Sequence, residues 1–351
     1  MNKLIIEPNP HIRSDNSTKQ IMLTVIIALV PAMLASVIIF GARAALLISI
    51  CVGSCVLFEY LFRKMFKKSR TIGDFSAIVT GILLAFNLPV TLPLYMAVIG
   101  SFVAIVIVKE MFGGLGQNFA NPAIVGRIVL MLSFPAQMSN YAVPFYYKDG
   151  FDAVTTATPL SAESPDQIPP MLDLFFGKHG GSLGETCSFA LILGFIILLV
   201  MRIIRPATPL ILVGTVALGT FVFSGFNTDE TLFAIITGGL LLGAIFMATD
   251  YTTNPMTLKG KIIFAFGCGL IALVIRQLAG MPEGVAFAIL TMNIFTPVID
   301  KITRPKPLGM KDSKTVKEAE ASKKDGAGEV KNDVKGEVKN NVKKEKNNEQ
   351  S

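Results

Sequence analysis

Charge is what this sequence is short of. Of its 351 residues 16% are Asp, Glu, Lys or Arg, 52% are hydrophobic, and the mean hydropathy is +0.58. A water-soluble fold of this length needs a charged surface over its core, yet here long stretches carry no charge at all. That argues against an ordinary soluble enzyme and leaves the bilayer as the solvent. Cysteine is confined to Cys51, Cys55, Cys187 and Cys268. None falls in a hydrophilic cluster with metal-ligand spacing, and no disulfide framework is implied. Cys51 and Cys55 share one face of an apolar helix, where small apolar packing and a metal or cluster site are the two readings. No glycine-rich loop is followed by Lys-Ser or Lys-Thr, and no dinucleotide fingerprint occurs, so neither device for holding a nucleotide is present. Nor is a cleavable signal expected. Glu7, Asn9, His11, Arg13 and Asp15 make the N-terminus polar, so the first apolar segment is expected to stay as an anchor.

What charge there is lies in short loops and a tail. The formal net charge is +7, but Lys and Arg gather at Arg63, Lys64, Lys67 and Lys68 and after Asp300. They do not pave a surface with interleaved aromatics, as a nucleic-acid groove requires. Between them run ten apolar stretches: residues 20–40, 44–62, 76–88, 94–111, 123–138, 188–204, 208–226, 231–249, 262–281 and 285–299. This predicts an all-α polytopic membrane protein of about ten helices. The third and fifth stretches are short for a hydrocarbon core of roughly 30 Å. Short spans are tolerated where they are buried in protein or line a cavity, so a binding site is expected there.

Loop charge gives the expected orientation. With the N-terminus inside, the inner connections hold Arg63 to Arg70, Lys109, Arg202, Arg205, Lys259, Lys261 and the tail from Lys301. The opposite loops hold only Arg43, Lys148 and Lys178, so both termini are expected to be cytoplasmic. The organisation reads as a cytoplasmic segment 1–19, a membrane domain 20–305 with a long outer loop at about 139–186, and a charged tail 306–351. The tail lacks aromatics and echoes itself at 328–335 and 336–343, which predicts a disordered extension.

Two short matches hint at duplicated halves. Asn121-Pro122-Ala123 follows the fourth stretch and Asn254-Pro255-Met256 the eighth, each at the start of an outward helix. Ionisable residues at membrane depth are costly and draw attention: Arg127, Asp250, Arg276 and Glu283. Arg127 and Asp250 are the preferred functional candidates, because each lies close to an Asn-Pro loop; snorkelling or pairing is the plainer reading. His179, a lone loop histidine, reads as solvated. In the segment Gly113, Gly114, Leu115, Gly116, Gln117, Asn118 up to Asn121, the glycines let backbone approach a planar ring or phosphate, and Asn118 and Asn121 can bond its polar edge. A tight turn between helices is the other reading.

The long outer loop contains Asp152-Ala-Val-Thr155-Thr156-Ala-Thr158-Pro159. Chemistry alone says that the hydroxyls make an open loop, with Pro159 keeping Thr158 out of helix. Thr155 to Thr158 also resembles the Ser/Thr-x-Ala-Thr site at which a flavin transferase attaches FMN to the last threonine, with Thr156 where Gly is commonest. Further stretches are similar to the same family, the RnfD and NqrB membrane subunits of redox pumps. They include Gly81-Ile82-Leu83-Leu84 with Asn87-Leu88-Pro89, Lys109 with Gly113-Gly114-Leu115-Gly116, and Asn121-Pro122-Ala123 with Gly126-Arg127. Gly184-Glu185-Thr186, Phe246 to Asp250 and Pro282-Glu283-Gly284 continue the resemblance, which covers 10–305 and lies closer to the RnfD branch. It implies a subunit that works between ferredoxin and NAD⁺ and couples electron flow to Na⁺ or H⁺ export. It also implies FMN held by phosphoester on Thr158 and riboflavin within the helices, alongside complex subunits of the A, B, C, E and G types. Nucleotide would bind elsewhere in that complex. The competing readings are an NqrB-type subunit of a Na⁺-pumping NADH:quinone reductase and, from a different class, a flavin-free channel or transporter with duplicated halves.

Overall fold

The computed structural model describes residues 17–68, 72–148, 155–156, 169–278 and 284–305. The N-terminal segment before residue 17, Thr158, Glu283 and the tail from residue 306 lie outside them. The chain rises into α1 (Thr18–Phe40) through a capping box, in which Ser17 Oγ accepts from the Gln20 amide and Gln20 Oε1 accepts from that of Ser17. Gly41, at φ 73°, turns the chain directly into α2 (Ala42–Met65). A 3₁₀ turn (Ile72–Asp74) leads to α3 (Ser76–Phe86). Then α4 (Leu94–Phe102) continues without a break as a π-helix (Val103–Glu110). Asn121 caps α5 (Pro122–Ser133) by accepting from the amides of Ala123 and Ile124, with Pro122 at the first position, where a missing N–H costs nothing.

The short α6 (Pro135–Met138) is separate, so the fifth stretch breaks at Phe134 instead of running on to Met138. A two-residue antiparallel bridge follows, β1 (Tyr141–Ala142) with β2 (Thr155–Thr156), pairing Tyr141 with Thr156. After α7 (Met171–Phe176) come α8 (Ser188–Val200) and α9 (Ala207–Phe223). The eighth stretch is also not one helix. It splits into α10 (Thr228–Ile236) and α11 (Leu240–Leu242), the latter running on as a π-helix (Gly243–Met247), with a 60° bend between the parts. Gly238 and Gly239 at the break both have φ near 70°, a region glycine enters without strain. Helices α12 (Leu258–Leu278) and α13 (Gly284–Thr303) complete the bundle.

All ten apolar stretches are therefore helical, and the short bridge is the only strand pairing among the described residues. Among the described residues four helices are long and apolar enough to cross a membrane, and the bent pair makes a fifth if it is one span. The shorter α9 also turns an apolar face outward that needs hydrocarbon: its Leu218, Val222 and Phe223 are 69%, 64% and 65% exposed. The third and fifth helices behave as their length predicts. Ser76, Ala77 and Val79 to Phe86 of α3 are all buried, as are Pro122 to Ile124 and Gly126 to Ile128 of α5. Both fill the middle of the bundle, which lets the flanking chain ends close a cleft.

Candidate functional site

Two ends of the bundle can be told apart by what they gather. The basic end holds residues 63–68, 72–76, 109–121 and 248–261, tied together by side-chain bonds from Arg63, Lys68, Lys109 and Asn121. The opposite end gathers Arg43, which donates to the carbonyls of Val90, Thr91 and Leu92, and Tyr147, whose hydroxyl donates to the Ile38 carbonyl.

At the basic end lies a cleft of about 130 Å³. Its walls are apolar, from Met22 and Val25 of α1, Val79 and Leu83 of α3, Leu198 of α8 and Phe246 of the second π-helix. Its rim is polar and comes from both halves of the chain: Ser76, Lys109, Asn118 and Asn121 from one, Thr249, Asp250 and Thr252 from the other. Asn121 Nδ2 lies 3.5 Å from Asp250 Oδ2, so the first Asn-Pro loop meets the carboxylate ahead of the second. Asp250 Oδ1 accepts from the Thr252 amide and hydroxyl at 3.2 and 3.1 Å. Burial pushes the Asp250 carboxyl above its ordinary range against those bonds, and it pushes the neighbouring Tyr251 phenol up to about 12, helped by the charges of Asp250 and Asp74. Asn118 Oδ1 is buried and has no partner. An orphan acceptor in an apolar slot asks for an N–H donor on a flat ligand.

The glycines do something else. Gly113, Gly114 and Gly116 have φ of 119°, 100° and 88° and do not line the cleft. A Cβ on Gly114 would stand 2.6 Å from Arg63 Nη2, and the Gly114 amide donates to the Lys109 carbonyl at 2.9 Å. The loop is a tight turn that closes over a buried ionic cluster. In that cluster Lys109 Nζ donates to Glu59 Oε2 at 2.8 Å and to Ser76 Oγ at 2.6 Å. Ser76 donates in turn to Asp74 Oδ1 at 2.6 Å. Arg63 binds Glu110 at 3.0 Å and approaches Glu59 Oε1 at 3.7 Å. Glu59 and Glu110 are 0% exposed and Lys109 1%. Sequence reading passed over Glu59, Ser76 and Glu110, although a lone carboxylate inside apolar α2 is itself a signal.

Arg127 sits elsewhere. Its Nη1 donates to Asn87 Oδ1 at 2.6 Å, and with Gly238, Gly239 and Met247 it lines a small separate cavity, about one water in size, at the helix break. It therefore does not join Asn118, Asn121 and Asp250. At the far end of that break Arg276 donates to the carbonyls of Ala234, Thr237 and Gly238 at 2.8, 3.2 and 2.9 Å, facing the charge of Glu185. His179 is not solvated, as its place in a loop predicts, but 4% exposed, and burial lowers its pKa to about 4. Cys51 and Cys55 are both buried free thiols.

Of the threonine-rich loop, Thr155 and Thr156 are held extended by the bridge to residues 141–142, two residues before Thr158.

The sequence profile of the NQR2, RnfD, RnfE family matches residues 5–309. The D-type subunit of the Na(+)-translocating ferredoxin:NAD(+) oxidoreductase complex of Acetobacterium woodii is 44% identical over 323 residues, 91% of this chain and 98% of that protein. Its counterpart in the proton-translocating complex of Clostridium ljungdahlii is 42% identical over 322 residues, 88% of this chain and 97% of that one. The D-type subunit of the ion-translocating oxidoreductase complex of Stutzerimonas stutzeri is 37% identical over 333 residues, covering 84% and 93%.

Proposed function

Because this chain belongs to the NQR2, RnfD, RnfE family, we propose that it is the D-type membrane subunit of an ion-translocating ferredoxin:NAD⁺ oxidoreductase complex and carries electrons through two flavins. The names and near-full length of its relatives support the subunit assignment. The observation that carries the flavin reading is the cleft. Apolar walls suit the faces of an isoalloxazine, and the unpartnered Asn118 Oδ1 suits the N–H of its uracil-like edge. Asn121, Thr249 and Asp250 suit a ribityl chain. Among the described residues no arginine lines the cleft, and the charge of Lys109 is matched by Glu59, so none of them answers a phosphate. That favours riboflavin over FMN. The ring supplies the redox chemistry when bound, and the chain holds and tunes it.

The second flavin is FMN, joined by phosphoester to Thr158 by a flavin transferase. Extended backbone at Thr155 and Thr156, two residues before Thr158, and the proline that follows Thr158 in sequence, which disfavours helix there, support an accessible acceptor. The basic end faces the cytoplasm, with both termini, and the threonine loop faces outward. Electrons pass between the two flavins and those of neighbouring subunits, coupled to Na⁺ or H⁺ export.

Cofactor analysis of the purified complex tests the reading. It should give riboflavin in extract and FMN covalently on this chain. Thr158→Ala, made with the transferase present, should abolish in-gel fluorescence of the band while riboflavin stays. Asn118→Leu should do the reverse, lowering riboflavin roughly tenfold. A complex with neither flavin on this chain would sink the proposal and leave a channel or transporter. A cysteine near Asp166 should label from outside and one near Lys323 should not; the opposite pattern reverses the orientation.

A further inference from the structure

Resting on the cleft reading above, we propose that Asp74, Ser76 and Lys109 form a proton relay, anchored by Glu59, that brings a proton from the basic-end aqueous phase to the cleft wall. The geometry is continuous. Asp74 is half-buried, does not itself line the cleft, and lies close enough to the cleft-lining Tyr251 for its charge to act on that phenol, while Ser76 and Lys109 line the cleft at 3% and 1% exposure. The bonds Ser76 Oγ to Asp74 Oδ1 and Lys109 Nζ to Ser76 Oγ are both 2.6 Å. Beyond Lys109 the path is closed by Glu59, 0% exposed, at 2.8 Å.

An electron delivered into a slot of low dielectric is a charge without a counterion, and the groups here are already balanced. Glu59 and Glu110 offset Lys109 and Arg63. The other ionisable neighbours of Lys109 are Cys55 on α2, Asp74 on the turn before α3, and Asp250 and Tyr251 across the cleft. Lys68, whose Nζ donates to the Glu110 carbonyl at 3.4 Å, is exposed to water, so among the described residues no buried cation is left unmatched and a proton following the electron would restore charge balance.

The steps balance. One Lys109 Nζ–H bond breaks toward an acceptor in the cleft and leaves a neutral amine beside Glu59. Asp74 takes a proton from water. Its O–H then donates to Ser76 Oγ while the serine proton passes to Lys109 Nζ, which restores the ammonium and the aspartate anion. The chain moves one proton and no electron. That proton offsets one electron reaching a reducible ligand in the cleft from the electron carriers of the complex.

The test uses the intact complex, with a pH-indicating dye, during a single reduction of the non-covalent flavin. Proton uptake is counted per loaded flavin. Asp74→Asn and Ser76→Ala should each slow uptake at least about tenfold and raise its solvent deuterium isotope effect, and Ser76→Thr should restore it. Wild-type uptake rates in both Asp74→Asn and Ser76→Ala would overturn the relay while leaving the flavin site standing. If the wild-type complex holds no non-covalent flavin, the cleft reading fails. The relay is then judged by infrared spectroscopy: a protonated-carboxyl band on acidification that vanishes in Asp74→Asn should shift in Ser76→Ala. A band indifferent to Ser76 would overturn the coupling.

Discussion

Lys109 and Arg276 lie at opposite ends of the bundle, the first buried and the second half-buried, and they are held in different ways. Lys109 is bound by side chains, the Glu59 carboxylate and the Ser76 hydroxyl, which can gain or lose protons. Arg276 is bound by three backbone carbonyls exposed where the eighth stretch breaks at Gly238 and Gly239. A carbonyl does not titrate, and a guanidinium holds its protons in any protein. The first arrangement can take part in chemistry and the second serves only as a fixture. Membrane depth makes both costly, so what separates them is what each can exchange with its surroundings.

The largest blow to that comparison should come from Glu59→Gln. It strands the ammonium of Lys109 in a buried site and should cost about 3–5 kcal/mol, most of it recovered when Lys109→Met is added. The chain has no tryptophan to report unfolding, but Cys51, Cys55 and Cys268 are buried, so their labelling on heating, read by mass spectrometry of the complex, serves instead. Equal melting of the single and double variants would mean that the pair is not the balanced unit described.

Arg276→Lys should cost about 2 kcal/mol by the same readout, because one ammonium cannot reach three carbonyls as a planar fork does. No loss would show that the break holds its shape unaided.

Acid should loosen the second end. His179 has its pKa lowered to about 4 by burial from an ordinary 6.5, so the unfolded chain binds a proton first as pH falls. The stability that the neutral ring contributes is complete above 6.5 and is lost as pH drops toward 4. The slope should be about 1 kcal/mol per pH unit, visible between about pH 7 and pH 5 and flattened in His179→Gln. An unchanged slope in the variant would assign the acid response to another group.

The smallest difference separates the two Asn-Pro loops. Asn121 caps α5, whereas α12 is capped by Thr257, whose hydroxyl accepts from the Gly260 amide, and Asn254 Oδ1 has no partner. Asn121→Ala should cost about 1 kcal/mol and Asn254→Ala close to none. Similar costs would mean that the two loops are built alike after all.

Hydropathy alone located all ten helical stretches, because a run of apolar residues in lipid has few alternatives to a helix. It did not locate the interruptions. The Gly238-Gly239 pair was a visible signal within the eighth stretch, but the two π-helices leave no mark in residue spacing. At the site, Asn118, Asn121 and Asp250 were legible as candidates, since Asn-Pro loops and a membrane-depth carboxylate are local features. Their meeting was not, because Asn121 and Asp250 are 129 residues apart. The same holds for Glu59 and Lys109, which are 50 apart and come together only through the packing of α2 on the first π-helix. Arg127 shows the opposite error. It lies near the Gly113 to Asn121 turn in sequence, yet the helix carries it a turn and a half away, to Asn87.

The bridge between residues 141–142 and 155–156 bears on the proposed flavin at Thr158. It works as the fixed post of a leash. Thr158 lies two residues past the post, and two extended residues reach about 7 Å at most. A redox group joined to that hydroxyl, as proposed, would stay within short reach of the bridge and could not ferry charge across the thickness of a bilayer. Its electron partners would then have to dock there.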